Sequence, residues 1–179
     1  DILVVTDKAL KELGLAKRAL APLADAGVNL HWYAGVDPDP TFAHVTEGAE
    51  VLRAAGCTAI VAVGGGSSMD AAKIIACTCT SDDSPDKWVG LNKVPDDVLP
   101  IYAIPTTSGT GSEATMGAVI KDPEEKLKHI IVGEDLLPQA VALDPDLLLG
   151  LPAPVTAATG IDALTHGIEA YICIWDRGT

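Results

Sequence analysis

Ala59-Ile60-Val61-Ala62-Val63-Gly64-Gly65-Gly66-Ser67-Ser68-Met69-Asp70-Ala71-Ala72-Lys73 runs from five apolar residues through three glycines into a helical stretch. The apolar run suits a buried strand of a parallel sheet. The glycines let the backbone turn tightly and approach a ligand with no Cβ in the way. Ser67 or Ser68 is placed to cap a helix over Met69–Ala76, whose free N–H groups and positive dipole end favour an anion. The stretch therefore reads as a phosphate seat. It is not the full dinucleotide fingerprint, because the third glycine position after Gly66 is Met69, and no Gly-Lys-Ser/Thr follows to make a Walker loop. The plain alternative is a strand-to-helix turn without a ligand.

Upstream of this stretch, Ile2 to Val5 reads as a strand ending at Thr6-Asp7. Leu10 to Ala26 has apolar residues near helical spacing, predicting one amphipathic helix closed by Gly27. Val28 to Tyr33 reads as a second strand. Residues 35–41, with Pro38 and Pro40, form a loop, and Thr41 to Ala55 a second helix stopped by Gly56. Strand and helix alternating in this way predict an α/β fold with parallel strands and right-handed crossovers. Ligands bind such sheets at the carboxyl ends of the strands, where Asp7, Asp37, Asp39 and Gly64–Ser67 all fall.

Downstream, Ser81 to Asp97 is a polar connector and Leu99 to Pro105 another buried strand. It runs into Thr106-Thr107-Ser108-Gly109-Thr110-Gly111-Ser112-Glu113, whose hydroxyls and exposed amides predict ligand contact rather than a solvated turn. Ala118–Asp122 and Lys128–Val132 predict a β-hairpin, and Ala140–Asp144 a last strand. Leu151-Pro152-Ala153-Pro154 marks a boundary, so that residues 1–151 form an α/β dinucleotide-binding domain and 152–179 the beginning of a helical one. On that helical stretch Asp162 and His166 stand at i and i+4, neighbours on one face, able to share a divalent cation or simply to pair with each other. His31, His44 and His129 fall into no ligand spacing.

A net charge of −13 argues against nucleic acid or an anionic membrane as partner. No apolar run reaches membrane-spanning length. Cys57, Cys77, Cys79 and Cys173 show no paired metal spacing and read as buried or half-buried thiols of a reducing, cytoplasmic compartment.

Gly64–Lys73, Pro105–Glu113 and Gly160-Ile161-Asp162-Ala163-Leu164-Thr165-His166-Gly167-Ile168-Glu169-Ala170-Tyr171 together resemble the iron-containing (group III) alcohol dehydrogenases, in that family's order and spacing. The resemblance implies a Rossmann-like dinucleotide-binding domain, a helical metal-binding domain, and hydride transfer between NAD(P)H and a small alcohol or aldehyde. It implies that Gly65, Gly66 and Ser67 cradle the pyrophosphate with Asp70 nearby, and that Thr106, Thr107 and Thr110 line the phosphate and nicotinamide-ribose side. Asp7 and Asp39 would lie at the adenosine end, favouring NAD over NADP, since a carboxylate accepts from the ribose 2′-hydroxyl and repels a 2′-phosphate. Lys128 would lie near the cofactor. Asp162 and His166 would be the first two ligands of Fe2+ or Zn2+. Two further histidines come from downstream helices in that family, so the resemblance implies a partial chain, able to bind dinucleotide but catalytically incomplete alone. It also implies a homo-oligomer. Competing expectations are a non-catalytic nucleotide-binding module and a metal-free reductase of the maleylacetate type.

Overall fold

The computed structural model describes residues 1–81 and 83–173. The expected connector crosses the one internal position left out, and the last six residues of the expected helical segment lie outside the described range.

Five strands make the central sheet: β1 (Ile2–Val5), β2 (Leu30–Tyr33), β3 (Ala59–Gly64), β5 (Ile101–Pro105) and β8 (Ala140–Val141). Their order is β2-β1-β3-β5-β8, and every pairing is parallel. The period-two alternation of a strand divides their side chains between two layers. Leu3, Val5, Ile60 and Ala62 enter one core, with Ile74, Ile75 and Leu52 from α4 (Phe42–Ala55) and α5 (Gly66–Cys77). Val4, Val61, Val63 and Ile104 point the other way, onto Ala16, Leu20 and Leu147.

The single helix expected over Leu10–Ala26 is three short ones, α1 (Lys8–Glu12), α2 (Leu15–Ala19) and α3 (Ala21–Asp25). Gly14 takes a left-handed φ of 71°, which ends α1. Pro22 opens α3, where its missing N–H is harmless. The apolar spacing survives only in part: Ala16, Leu20 and Leu23 pack on the sheet, while Leu13 is 79% exposed. α4 matches its expected span; Thr41 caps it, its N–H donating to His44 Nδ1 at 3.1 Å, and Gly56 (φ 61°) stops it. His44 is thus a capping residue.

α5 is buried on almost every side, from Ser68 through Cys77 except Asp70. It is held between β3 on one side and α4 and a small second sheet on the other. That sheet has the expected antiparallel hairpin, β6 (Gly117–Asp122) with β7 (Leu127–Val132), and adds β4 (Gly90–Leu91) alongside β7. The connector before it is less open than its composition suggests, since Trp88 is buried in a 3-10 turn (Pro85–Trp88).

After Pro152 comes α6 (Ala153–Ile172), which buries none of its residues. Ile161, Leu164 and Ile168 are 64%, 58% and 52% exposed. Among the described residues no helix is long and apolar enough to cross a membrane.

Candidate functional site

The glycine turn forms because side chains fill the space that Cβ atoms would need. A Cβ on Gly64 would lie 2.5 Å from Ser68 Oγ, so Ser68 folds back over the end of β3 only because residue 64 is glycine. Neither serine caps α5: the cap is Gly65, in extended backbone, and both serines sit inside the first turn. The chain after β5 descends onto the same glycines. Thr106 N donates to Gly64 O at 2.9 Å, which continues the β3–β5 ladder past the strand ends. A Cβ on Gly65 would lie 3.2 Å from Thr107 Cγ2, and one on Gly66 3.1 Å from Thr110 Cγ2. Two loops from adjacent strands thus form one cradle at the N-terminus of α5. Two buried hydroxyls among the described residues, Thr6 Oγ1 and Thr107 Oγ1, have no hydrogen-bond partner, and both stand at carboxyl ends of parallel strands.

Behind the cradle, Lys73 is completely buried. Its ammonium donates to the carbonyls of Ser112, Thr115 and Gly117 at 2.7, 2.8 and 2.7 Å. Burial pushes its pKa down to about 8, against the pull of Asp70 and Glu113. Asp70 Oδ1 accepts from Ser112 Oγ at 2.7 Å and Oδ2 from Val119 N at 3.0 Å. Burial raises the Asp70 pKa despite these donors.

The opposite wall carries charge. Lys128 Nζ donates to Asp39 Oδ1 at 2.6 Å and Lys121 Nζ lies 3.8 Å from Asp39 Oδ2, which hold the Asp39 carboxyl below its usual range. Asp39 has a left-handed φ of 58°, a conformation Asp tolerates better than most residues. On α6, Asp162 Oδ1 lies 3.7 Å from His166 Nε2, both half-exposed. This helix approaches the cradle through Gly109, where a Cβ would lie 1.9 Å from the Thr159 carbonyl oxygen.

One cleft of about 530 Å3 is lined by Asp39, Gly66, Ser67, Asp70, Thr110, Lys128, Asp162 and His166. Thus eight of the residues singled out from the sequence share a wall. Gly65, Thr106 and Thr107 are not on that wall; Gly65 and Thr107 form the packed layer beneath Gly66. Asp7 is not on it either; its Oδ1 accepts from Leu10 N at 2.8 Å and caps α1. A separate groove of about 650 Å3, beside Leu20, Ala24, Leu30 and Trp32, shares no residue with the cleft.

Lys73 and Lys121 were not foreseen, and Ser112, from the hydroxyl-rich stretch expected to contact a ligand, donates its hydroxyl to Asp70. Lys73 stands one turn after Asp70, within the stretch that decides the fold, and only its complete burial marks it. His129, expected to join no ligand set, gathers with Asp122 and Glu125, their donor atoms all within 4.8 Å. The imidazole Nε2 lies 3.8 Å from Asp122 Oδ2 and 3.6 Å from Glu125 Oε2, which gathers the three side chains at the hairpin turn. The cysteines divide: Cys57 and Cys77 are buried, but Cys79 and Cys173 are exposed, because one follows the end of α5 and the other the end of a helix that buries nothing.

A dinucleotide fits this cradle. The paired glycines leave backbone amides uncovered at a helix start, and the Thr107 hydroxyl lacks a partner beside them. A divalent cation fits the α6 pair, since donors bound at about 2.1 Å lie roughly 3 to 3.5 Å apart, close to the 3.7 Å seen between Asp162 and His166. Comparison with known proteins agrees in kind. Residues 1–145 match the model for iron-containing alcohol dehydrogenases. The NAD-dependent methanol dehydrogenase of Bacillus methanolicus is 40% identical over 170 residues, covering 95% of this chain and 45% of its own. The 1,3-propanediol dehydrogenase of Citrobacter freundii is 42% identical over 172 residues, covering 95% of this chain and 44% of its own. Among solved structures, a 1,3-propanediol oxidoreductase superposes with a TM-score of 0.91 at 40% identity, over 95% of this chain and 44% of that one. A sulfoacetaldehyde reductase from Bifidobacterium kashiwanohense, solved with NAD+, gives 0.88 at 37% identity, over 96% and 45%. The chain therefore spans less than half the length of these relatives. With the parallel sheet, the glycine–threonine cradle and the match over residues 1–145 in agreement, this chain belongs to the iron-containing alcohol dehydrogenase family.

Proposed function

We propose that this chain is the dinucleotide-binding part of an NAD-dependent, divalent-metal alcohol dehydrogenase or aldehyde reductase acting on a short-chain alcohol or diol. The carrying observation is that one cleft holds both the cradle and the Asp162–His166 pair. The N–H groups at the start of α5 receive the pyrophosphate, where the helix dipole offsets the repulsion of an acidic protein. Thr107 and Thr110 close over it. Asp39 sits toward the adenosine end between Lys121 and Lys128. Asp162 and His166 hold the cation, Fe2+ or Zn2+, on the side of the cleft where α6 approaches.

When bound, nicotinamide supplies or accepts the hydride and the cation supplies Lewis acidity toward the substrate oxygen. The chain's own part is positional: the loops at the carboxyl ends of β3 and β5 would fix the cofactor, and α6 the cation, across one cleft. The exposed apolar side chains of α6 support a division near residues 151 and 152, with further helices packing there and completing the ligand set.

The test is NADH fluorescence and divalent-metal titration on the full-length protein carrying this chain. Saturable NADH binding, and metal binding lost in His166→Ala with NADH binding kept, is expected. Metal binding unaffected by His166→Ala removes the metal assignment, and NADH binding without any metal binding favours a nucleotide-binding module.

A further inference from the structure

We propose that Lys73 and Asp70 are positioning residues for the dinucleotide: they pin the segment from Ser112 to Val119 to α5, and through it hold Thr107 and Thr110 over Gly65 and Gly66. This rests on the dinucleotide reading above and deepens it.

Lys73 is the largest of the fully buried side chains, and an unpaired ammonium there would be very unfavourable. It is satisfied in an unusual way. All three N–H bonds reach main-chain carbonyls, those of Ser112, Thr115 and Gly117, with Thr115 Oγ1 as a further acceptor at 3.2 Å. A lysine buried only for charge balance would face a carboxylate. This one faces the backbone of a segment that leaves a 3-10 turn over Ser112–Ala114 and enters β6 at Gly117.

Asp70 adds the second arm from one turn earlier on the same helix. Its two oxygens take the Ser112 hydroxyl and the Val119 N–H. Ser112 is therefore gripped twice, by its carbonyl and by its hydroxyl. The segment enters this grip directly after Thr110, whose methyl lies against Gly66, so the pin fixes where that threonine stands. Charge-assisted hydrogen bonds in a water-poor setting are stronger and more directional than neutral ones. Neither side chain needs to touch the reacting atoms.

The full-length protein decides the matter with Lys73→Met, which keeps length and apolar volume. KM and Kd for NADH are expected to rise about tenfold, with kcat at saturating NADH falling far less. Hydrogen exchange of amides 112–119 is expected to accelerate while β1 and β3 keep their protection. A folded Lys73→Met with wild-type NADH affinity overturns the proposal. If Lys73→Met does not fold, Ser112→Ala removes one of the two Asp70 bonds while Val119 N keeps the other and Lys73 keeps all of its carbonyl acceptors. NADH affinity about threefold weaker is then expected, and unchanged affinity overturns the proposal. Absence of NADH binding by the unaltered protein overturns the cofactor reading itself, whereas binding retained by both variants overturns only the pinning.

Discussion

Gly109 lies directly beneath Thr159, so close that a Cβ on the glycine would stand 1.9 Å from the threonine's carbonyl oxygen. That contact ties α6, which carries Asp162 and His166, to the loop that covers the glycine cradle. The obstacle is backbone, and no side-chain rotation relieves it. Gly109→Ala is expected to displace α6 and weaken divalent-metal binding by about tenfold or more, because a misplacement near 1 Å is enough to spoil a site. Calorimetric metal titration of the variant and the parent checks this; equal affinity would mean that α6 is positioned by something else.

Gly66→Ala separates stability from binding. Alanine is favoured over glycine in a helix by about 1 kcal/mol, and the new Cβ would meet the Thr110 methyl at 3.1 Å, within reach of a small adjustment. The melting temperature is expected to hold or rise while NADH affinity falls, since the adjustment moves the lid of the cradle. Thermal melts with and without NADH show both effects on one sample.

Asp39 is compensated by two lysines, so its removal changes the local charge from net +1 to net +2. Asp39→Asn keeps a residue that tolerates the left-handed φ of 58°. It is expected to improve NADPH binding relative to NADH by about tenfold at low salt and by less at high salt, as the lysines are freed to face a 2′-phosphate. A ratio that does not move would place the 2′ position elsewhere, with Asp7 the next residue to alter.

The pH dependence of stability has two opposed sources. The Cys77 thiol is pushed up to about 12 by burial, from 9.0 in the free group. Its folded pKa is raised, so its contribution is intact below pH 9 and is lost as pH climbs toward 12, up to about 4 kcal/mol. Tyr33, raised by burial and by Glu47, acts in the same direction. Lys73 works the other way: with its pKa held down to about 8, the unfolded chain binds the extra proton between pH 8 and 10.5, and stability rises with pH there. The three groups together are expected to make urea midpoints rise gently from pH 8 to 9, level off while the Lys73 and Cys77 slopes cancel, and fall above pH 10, where Tyr33 joins Cys77. Cys77→Ala should flatten the falling limb, whatever it does to the absolute midpoint.

Much of this was legible in the sequence because it depends on local pattern. Ile60 to Gly64 could be read as a strand and a tight turn from composition alone, and the antiparallel hairpin from its two alternating runs. Asp39, Gly66 and Ser67 could be placed in one cleft because loops at the carboxyl ends of parallel strands converge, whereas Asp7, expected there by the same rule, caps α1. What escaped was decided by distance along the chain. Lys73 lies 44 residues from Gly117, and nothing near it in sequence distinguishes a buried clamp from a surface lysine on an apolar helix. The breaks at Gly14 and Pro22 were visible, but the apolar spacing spanned them, and spacing alone does not separate one helix from three aligned turns. His129 joined Asp122 and Glu125 only through the hairpin register. Gly65 took the cap from the serines because extended backbone before a helix needs no side chain to start it.

β3 and β5 are neighbours in the sheet, and the two loops of the cradle leave from their adjoining ends. The order of synthesis follows the order of residues, so this half of the site is translated in full before any of α6 leaves the ribosome. Once β3 and β5 pair, the dinucleotide proposed above would meet a finished cradle, while Asp162 and His166 are still to come. Ligand binding at that stage would stabilise the folded sheet by mass action, giving the proposed dinucleotide a part in folding before α6 has emerged.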